Sequence, residues 1–138
     1  MIDKEIIRIA SKTENHGALD NHTHFSKLKN SICGDDMKIY LIVENNKITN
    51  FKYECESCIY CQASVSLLSR KAKNKLIEKV KNFAQQANNH FDKSINSFDK
   101  EWKEFGKIIT KNNISRKECL LLPINTMLDA LSKKFYEV

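Results

Sequence analysis

The chain has 138 residues, 41% of them hydrophobic, and carries a net charge of +6. That length suits a single domain, residues 1–138, around one core, and that composition excludes a disordered chain. No apolar run approaches the ~18 residues a membrane-spanning helix needs, and the charged start Asp3-Lys4-Glu5 lacks an apolar core of signal-peptide length, so the chain is expected in the cytoplasm and away from any membrane.

Residues 3–13 read as a first helix, with Ile6, Ile7, Ile9 and Ala10 as its apolar stripe. Residues 14–32 hold His16, Gly17, Asp20, Asn21, His22, His24 and Asn30 but few apolar side chains. They read as an irregular segment leading into Cys33. Residues 37–44 are rich in β-branched and aromatic side chains and read as a strand. Asn45-Asn46 suits a tight turn, because asparagine tolerates left-handed backbone angles. Residues 47–54 read as the returning strand, with Ile48, Phe51 and Tyr53 apolar. Ile48 and Phe51 differ in parity, which points to a bulge or a change of buried face.

From Cys58 the period becomes helical. One helix is expected over residues 59–73, on Ala63, Leu67 and Lys71 and on Val65 and Leu68. A second is expected over 76–88, burying Leu76, Ile77, Val80 and Phe83. Residues 89–98 are polar, with a cap at Ser97 or Asp99. A short helix over 99–110 uses Trp102, Phe105, Ile108 and Ile109, and Lys111-Asn112-Asn113 reads as a loop. Residues 115–136 are helical by period, with Leu121, Ile124, Leu128, Leu131 and Phe135. Pro123 is expected to break or kink that helix, or to mark a restart at its first turn. The sum is an α+β fold, a small antiparallel sheet with helices packed on one face.

Lysine supplies most of the positive charge, without an arginine cluster or interleaved aromatics. This reads as a solvated surface, not as a nucleic-acid face. Five cysteines, an odd number in a cytosolic chain, argue against a disulfide framework. Reduced thiols are available for metal binding or sulfur chemistry. Cys33 and Asp35 flank Gly34, which frees the backbone to turn so that both reach one ion. Cys58 lies where a strand gives way to a helix, whose positive end favours thiolate. Cys119 lies near the start of the last helical segment, with Arg116 one turn before it. Brought together, Cys33, Asp35, Cys58 and Cys119 would make a tetrahedral site for zinc or a seat for an iron–sulfur cluster. Locally, Cys119 before Leu120-Leu121-Leu122 reads as a buried hydrophobe, and Asp35 as a turn residue. Cys55, Cys58 and Cys61 form a C-x2-C-x2-C run similar to part of a ferredoxin motif, without its fourth cysteine and proline. His22 and His24 read as solvent-exposed. Three glycines exclude a glycine-rich phosphate loop, and no paired carboxylates suggest acid–base catalysis.

Three stretches in order resemble a known family. Asn30-Ser31-Ile32-Cys33-Gly34-Asp35 is similar to the N-P-x-C-G-D box of the iron–sulfur assembly scaffolds, the IscU, NifU N-terminal and SufU group. Cys58-Ile59-Tyr60-Cys61-Gln62-Ala63-Ser64-Val65-Ser66 is similar to its C-x-I-S-x-A-S-x-S stretch, and Arg116-Lys117-Glu118-Cys119-Leu120-Leu121-Leu122 to the R-x-x-C-x-x-L stretch of the SufU branch. Glu118 stands where the IscU branch has a histidine, and the gap between Cys58 and Cys119 is long, as in SufU. Ser31 replaces the box proline, Cys55-Glu56-Ser57 a G-x-G, and Cys61 a serine.

The resemblance implies a three-stranded antiparallel sheet with packed helices. It also implies Cys33, Asp35, Cys58 and Cys119 as ligands, for Zn2+ in the SufU-like branch or for a transient [2Fe–2S] cluster. Cys33 is its first candidate for a sulfur acceptor. Its implied partners are a pyridoxal-phosphate cysteine desulfurase, from which persulfide sulfur is taken, and iron–sulfur acceptor proteins. The chain would then be a scaffold or sulfur carrier, working beside an enzyme. Two other readings stay open at this point: a small iron–sulfur electron-transfer or sensing protein using Cys55, Cys58 and Cys61, and a structural zinc module binding a partner through its basic helices.

Overall fold

The structure, a computed structural model, describes residues 3–31, 34–93 and 98–133. Cys33, Ser97 and Phe135 therefore lie outside the described residues. Helix α1 (Lys4–Ala10) begins at Asp3, whose carboxylate accepts the Glu5 N–H at 2.9 Å. Ile6, Ile9 and Ala10 are buried, but Ile7 is exposed and leaves the expected stripe. Strands β1 (His24–Asn30), β2 (Asp35–Glu44) and β3 (Lys47–Glu56) follow in that spatial order, both pairings antiparallel.

The irregular reading of residues 14–32 is thus corrected, because its second half is a strand. The alternation that marks a strand was hidden by polar residues on the core-facing side. Ser26 and Asn30 are both buried there, and the Ser26 hydroxyl donates to the Asp129 carboxylate of the last helix. The parity break in β3 resolves as a bulge. The register slips between Ile42 and Val43, Thr49 is left over, and Ile48 and Phe51 share the buried face. Asn45 and Asn46 take φ of 53° and 63° in the two-residue turn.

Helix α2 (Ile59–Ala72) ends at Lys73, and Asn74 beyond it has a φ of 70°, the left-handed stop common after helices. Three serines on its buried side hold neighbouring backbone: Ser64 donates to the Leu120 carbonyl at 2.6 Å, Ser66 to those of Ile9 and Lys12 at 3.0 and 2.5 Å, and Ser69 to Ser66 at 2.8 Å. Helix α3 (Ile77–Lys93) buries Val80, Phe83, Ala84 and Ala87, while Leu76 stays exposed.

The short helix expected over 99–110 is a 3-10 helix, Lys100–Lys107, and where a loop was expected at Lys111-Asn112-Asn113 the chain makes 3-10 turns over Lys111–Arg116 that are interrupted by a kink at Asn113. The spacing explains the first. Trp102, Phe105 and Ile108 recur every three residues, and all three are buried, which matches three residues per turn. Phe83 stacks on Trp102 at 4.2 Å and ties α3 to this segment.

Helix α4 (Lys117–Ser132) runs unbroken through Pro123, contrary to the expected break. It buries Cys119–Ile124 in succession and packs on β1, β2, α2 and α3. A helix apolar nearly all round belongs at the centre of a fold, and this packing outweighs the proline penalty. The sheet's buried face carries Met37, Ile39, Leu41, Phe51 and Tyr53 against α2 and α4. No helix among the described residues is long and apolar enough to cross a membrane.

Candidate metal centre

The first residue of β2, the N-cap of α2 and the first turn of α4 meet at one point. Asp35 opens β2 immediately after Gly34, which has a φ of 74°. That left-handed conformation favours glycine. The Gly34 N–H donates to the Asn30 carbonyl at 2.7 Å and closes the connection between β1 and β2. Asp35 is only 4% exposed. Its carboxylate accepts the Cys58 N–H at 3.0 Å and lies 3.7 Å from the Cys58 sulfur. Cys58 has no side-chain cap bond of its own, so Asp35 satisfies the start of α2 from across the fold. The negative carboxylate also complements the helix dipole there.

Cys119 is 1% exposed. Burial was the local expectation, and it holds. The sulfur nonetheless reaches the site: one ligand atom each from Asp35, Cys58 and Cys119 all lie within 4.8 Å of one another. The leucines that follow it bury the helix, and the cysteine ends at the helix's site-facing end. Asn30, at the end of β1, donates its side-chain amide to the Cys119 sulfur at 3.8 Å. The sequence pattern gave Asn30 no role beyond its place in the box, and Asn30 is the residue that reading missed. Its signal was a polar residue two before the turn on an inward-facing strand position, legible only once β1 is recognised.

Cys55 and Cys61 do not join this group. Cys61 is fully buried in α2, and burial, followed by repulsion from Asp35 and neighbouring thiolates, pushes its thiol well above the ordinary range. Burial also raises Cys55, which borders cavities of about 310 and 180 Å³ beside His16. Of the C-x2-C-x2-C run, only Cys58 belongs to the three-donor group among the described residues.

The donor set fits a thiophilic metal. In a tetrahedron of Zn–S bonds near 2.3 Å the ligand atoms stand about 3.8 Å apart; here they lie within 4.8 Å of one another, with Asp35 and Cys58 at 3.7 Å. Two thiols and one carboxylate supply three ligands. Such a set suits zinc or iron–sulfur chemistry over magnesium or calcium, which prefer oxygen alone.

The NifU-like N terminal domain family matches residues 1–101, a span that contains Asp35 and Cys58 and stops short of Cys119. The chain is 28% identical over 134 residues to the iron-sulfur cluster assembly scaffold protein IscU of Thermotoga maritima, covering 96% of this chain and 94% of that one. Among solved structures, the N-terminal part of a NifU-like protein from Brucella abortus superposes with a TM-score of 0.88 at 18% identity, covering 94% and 91% of the two chains. A putative scaffold protein for the SUF system from Fervidobacterium islandicum superposes with a TM-score of 0.83 at 25% identity, covering 94% and 96%.

Proposed function

Because the chain belongs to the family of NifU-like N-terminal domains, we propose that it is an iron–sulfur cluster assembly scaffold that also accepts sulfur. Its 138 residues act as one domain in the reducing cytoplasm, where the thiols stay free. The observation that carries the reading is the convergence of Asp35, Cys58 and Cys119 from three separate elements. Cys33, two residues before Asp35, is the fourth donor in this proposal.

Zinc, when bound, supplies the positive charge that keeps the thiols deprotonated. Asp35 is the hardest of the donors and would be the weakest partner for a thiophilic ion, so Asp35 or Cys33 would be the donor most readily given up. The freed Cys33 thiolate attacks the outer sulfur of a desulfurase persulfide. The persulfide S–S bond breaks, the desulfurase cysteine leaves as thiolate, and the sulfur stays on Cys33. Cys58 and Cys119 would remain as donors for iron as cargo, and an external two-electron donor would have to reduce the Cys33 persulfide, returning the Cys33 thiolate and giving up sulfide, before a [2Fe–2S] cluster could form for acceptor proteins. Burial keeps Cys61 protonated, so it does not compete for the sulfur.

The test is sulfide release by a pyridoxal-phosphate cysteine desulfurase with and without this protein. Stimulation is expected from the wild type and not from Cys33→Ala. No stimulation by wild type, or equal stimulation by Cys33→Ala, rejects the acceptor role. Metal analysis of the freshly purified protein and of each cysteine variant decides between zinc and iron, with loss expected for Cys58→Ala and Cys119→Ala and retention for Cys55→Ala and Cys61→Ala.

A further inference from the structure

We propose that Asn30 is a positioning residue for Cys119, its side-chain amide donating to the thiolate sulfur and holding it toward the metal; this rests on the metal-centre reading above. Asn30 is 8% exposed and pairs in register with Asp35 across β1 and β2. Directly paired residues project to the same face of a sheet, so the Asn30 amide and the Asp35 carboxylate face the site together. A buried primary amide carries two N–H groups that need acceptors. A neutral thiol is a poor acceptor, and a thiolate is a good one. The bond at 3.8 Å is within reach of the larger sulfur atom. Cys119 needs such help more than Cys58. It is 1% exposed, where an unsupported negative charge is costly, whereas Cys58 is half-exposed and sits at a helix N-terminus.

Asn30 has two separable tasks. Its backbone carbonyl accepts the Gly34 N–H and closes the connection that carries Cys33, and any substitution keeps that carbonyl. Its side chain alone reaches Cys119. A substitution thus removes the N–H···S bond and leaves the backbone closure in place.

The experiment loads amide-labelled protein with an NMR-active cadmium isotope, which stands in for zinc. A scalar coupling between cadmium and the Asn30 side-chain amide proton, relayed through the Cys119 sulfur, is expected. A merely structural asparagine would give none. Cadmium affinity, read by competition with a chromophoric chelator, is expected to fall about tenfold or more in Asn30→Ala, and further in Asn30→Asp, which sets a carboxylate against the thiolate. Tight cadmium binding without the coupling overturns the Asn30 proposal and leaves the metal centre standing. So does an Asn30→Ala affinity within about twofold of wild type. A wild type that binds no cadmium overturns both. The coupling is measured on wild-type protein, so the proposal stays testable if a variant does not fold.

Discussion

At the scale of single residues, Asp35 has two roles that pull apart under mutation. It is a metal donor in the proposed centre and the acceptor for the Cys58 N–H. Asp35→Asn keeps an oxygen for that N–H but loses the negative charge, so metal affinity is expected to drop more than apo-protein stability. Asp35→Ala loses both, and urea unfolding with the metal chelated is expected to show a cost of about 1–2 kcal/mol, the range for a lost helix cap. Equal apo stability of Asp35→Ala and wild type would show that the Cys58 N–H finds another partner. The sequence made Asp35 visible as a donor through its spacing from Cys33. It could not show the capping role, because that bond joins residues 23 apart in the chain and no local pattern records it. Asn30 was illegible for the same reason, its sulfur acceptor being 89 residues away.

At the scale of elements, α2 is fastened by hydroxyls as much as by apolar contact. Ser66 donates to two carbonyls at the end of α1, those of Ile9 and Lys12. Ser66→Ala leaves them without that donor, and a loss of about 1–3 kcal/mol in urea unfolding, with an unchanged m-value, is expected. The hairpin makes the opposite prediction. Asn46 sits at a φ of 63°, so Asn46→Ala should cost about 1 kcal/mol while Asn46→Gly should be neutral or stabilising. The hairpin and α2 were legible because β-branched runs, a turn pair and a helical period all coincide within short windows. β1 was not, because its inward positions hold Ser26 and Asn30, whose partners lie in α4. The continuation of α4 through Pro123 was illegible too, since packing on four other elements decides it.

At the scale of the whole molecule, stability should fall on the alkaline side. Burial raises Cys61 and Cys55, and Tyr53, largely by burial, is pushed up to about 12. Tyr40, which donates to Glu54 at 2.6 Å, is likewise at about 12, although its exposure leaves that pairing screened. The unfolded chain releases these protons near pH 9 for cysteine and pH 10 for tyrosine, whereas the native state keeps them. The cysteine contribution is therefore full below about pH 9 and declines above it, and the tyrosine contribution is full below about pH 10 and is lost as pH rises through about 12. Metal-free protein followed by urea midpoint from pH 8 to 11 should show a steady decline, and a flat profile would mean these groups ionise equally in both states.

The meeting of β2, α2 and α4 at three side chains has a last consequence. A guest held there buckles together stretches that the chain itself joins only by long detours, and closing such loops removes freedom from the unfolded ensemble. Handing the guest over unfastens the buckle. The emptied protein should be cut faster than the laden one by a protease such as thermolysin, in a reducing buffer, with early cuts near the start of α4. Lifetime in the cell would then follow the cargo, with carriers between deliveries turning over first.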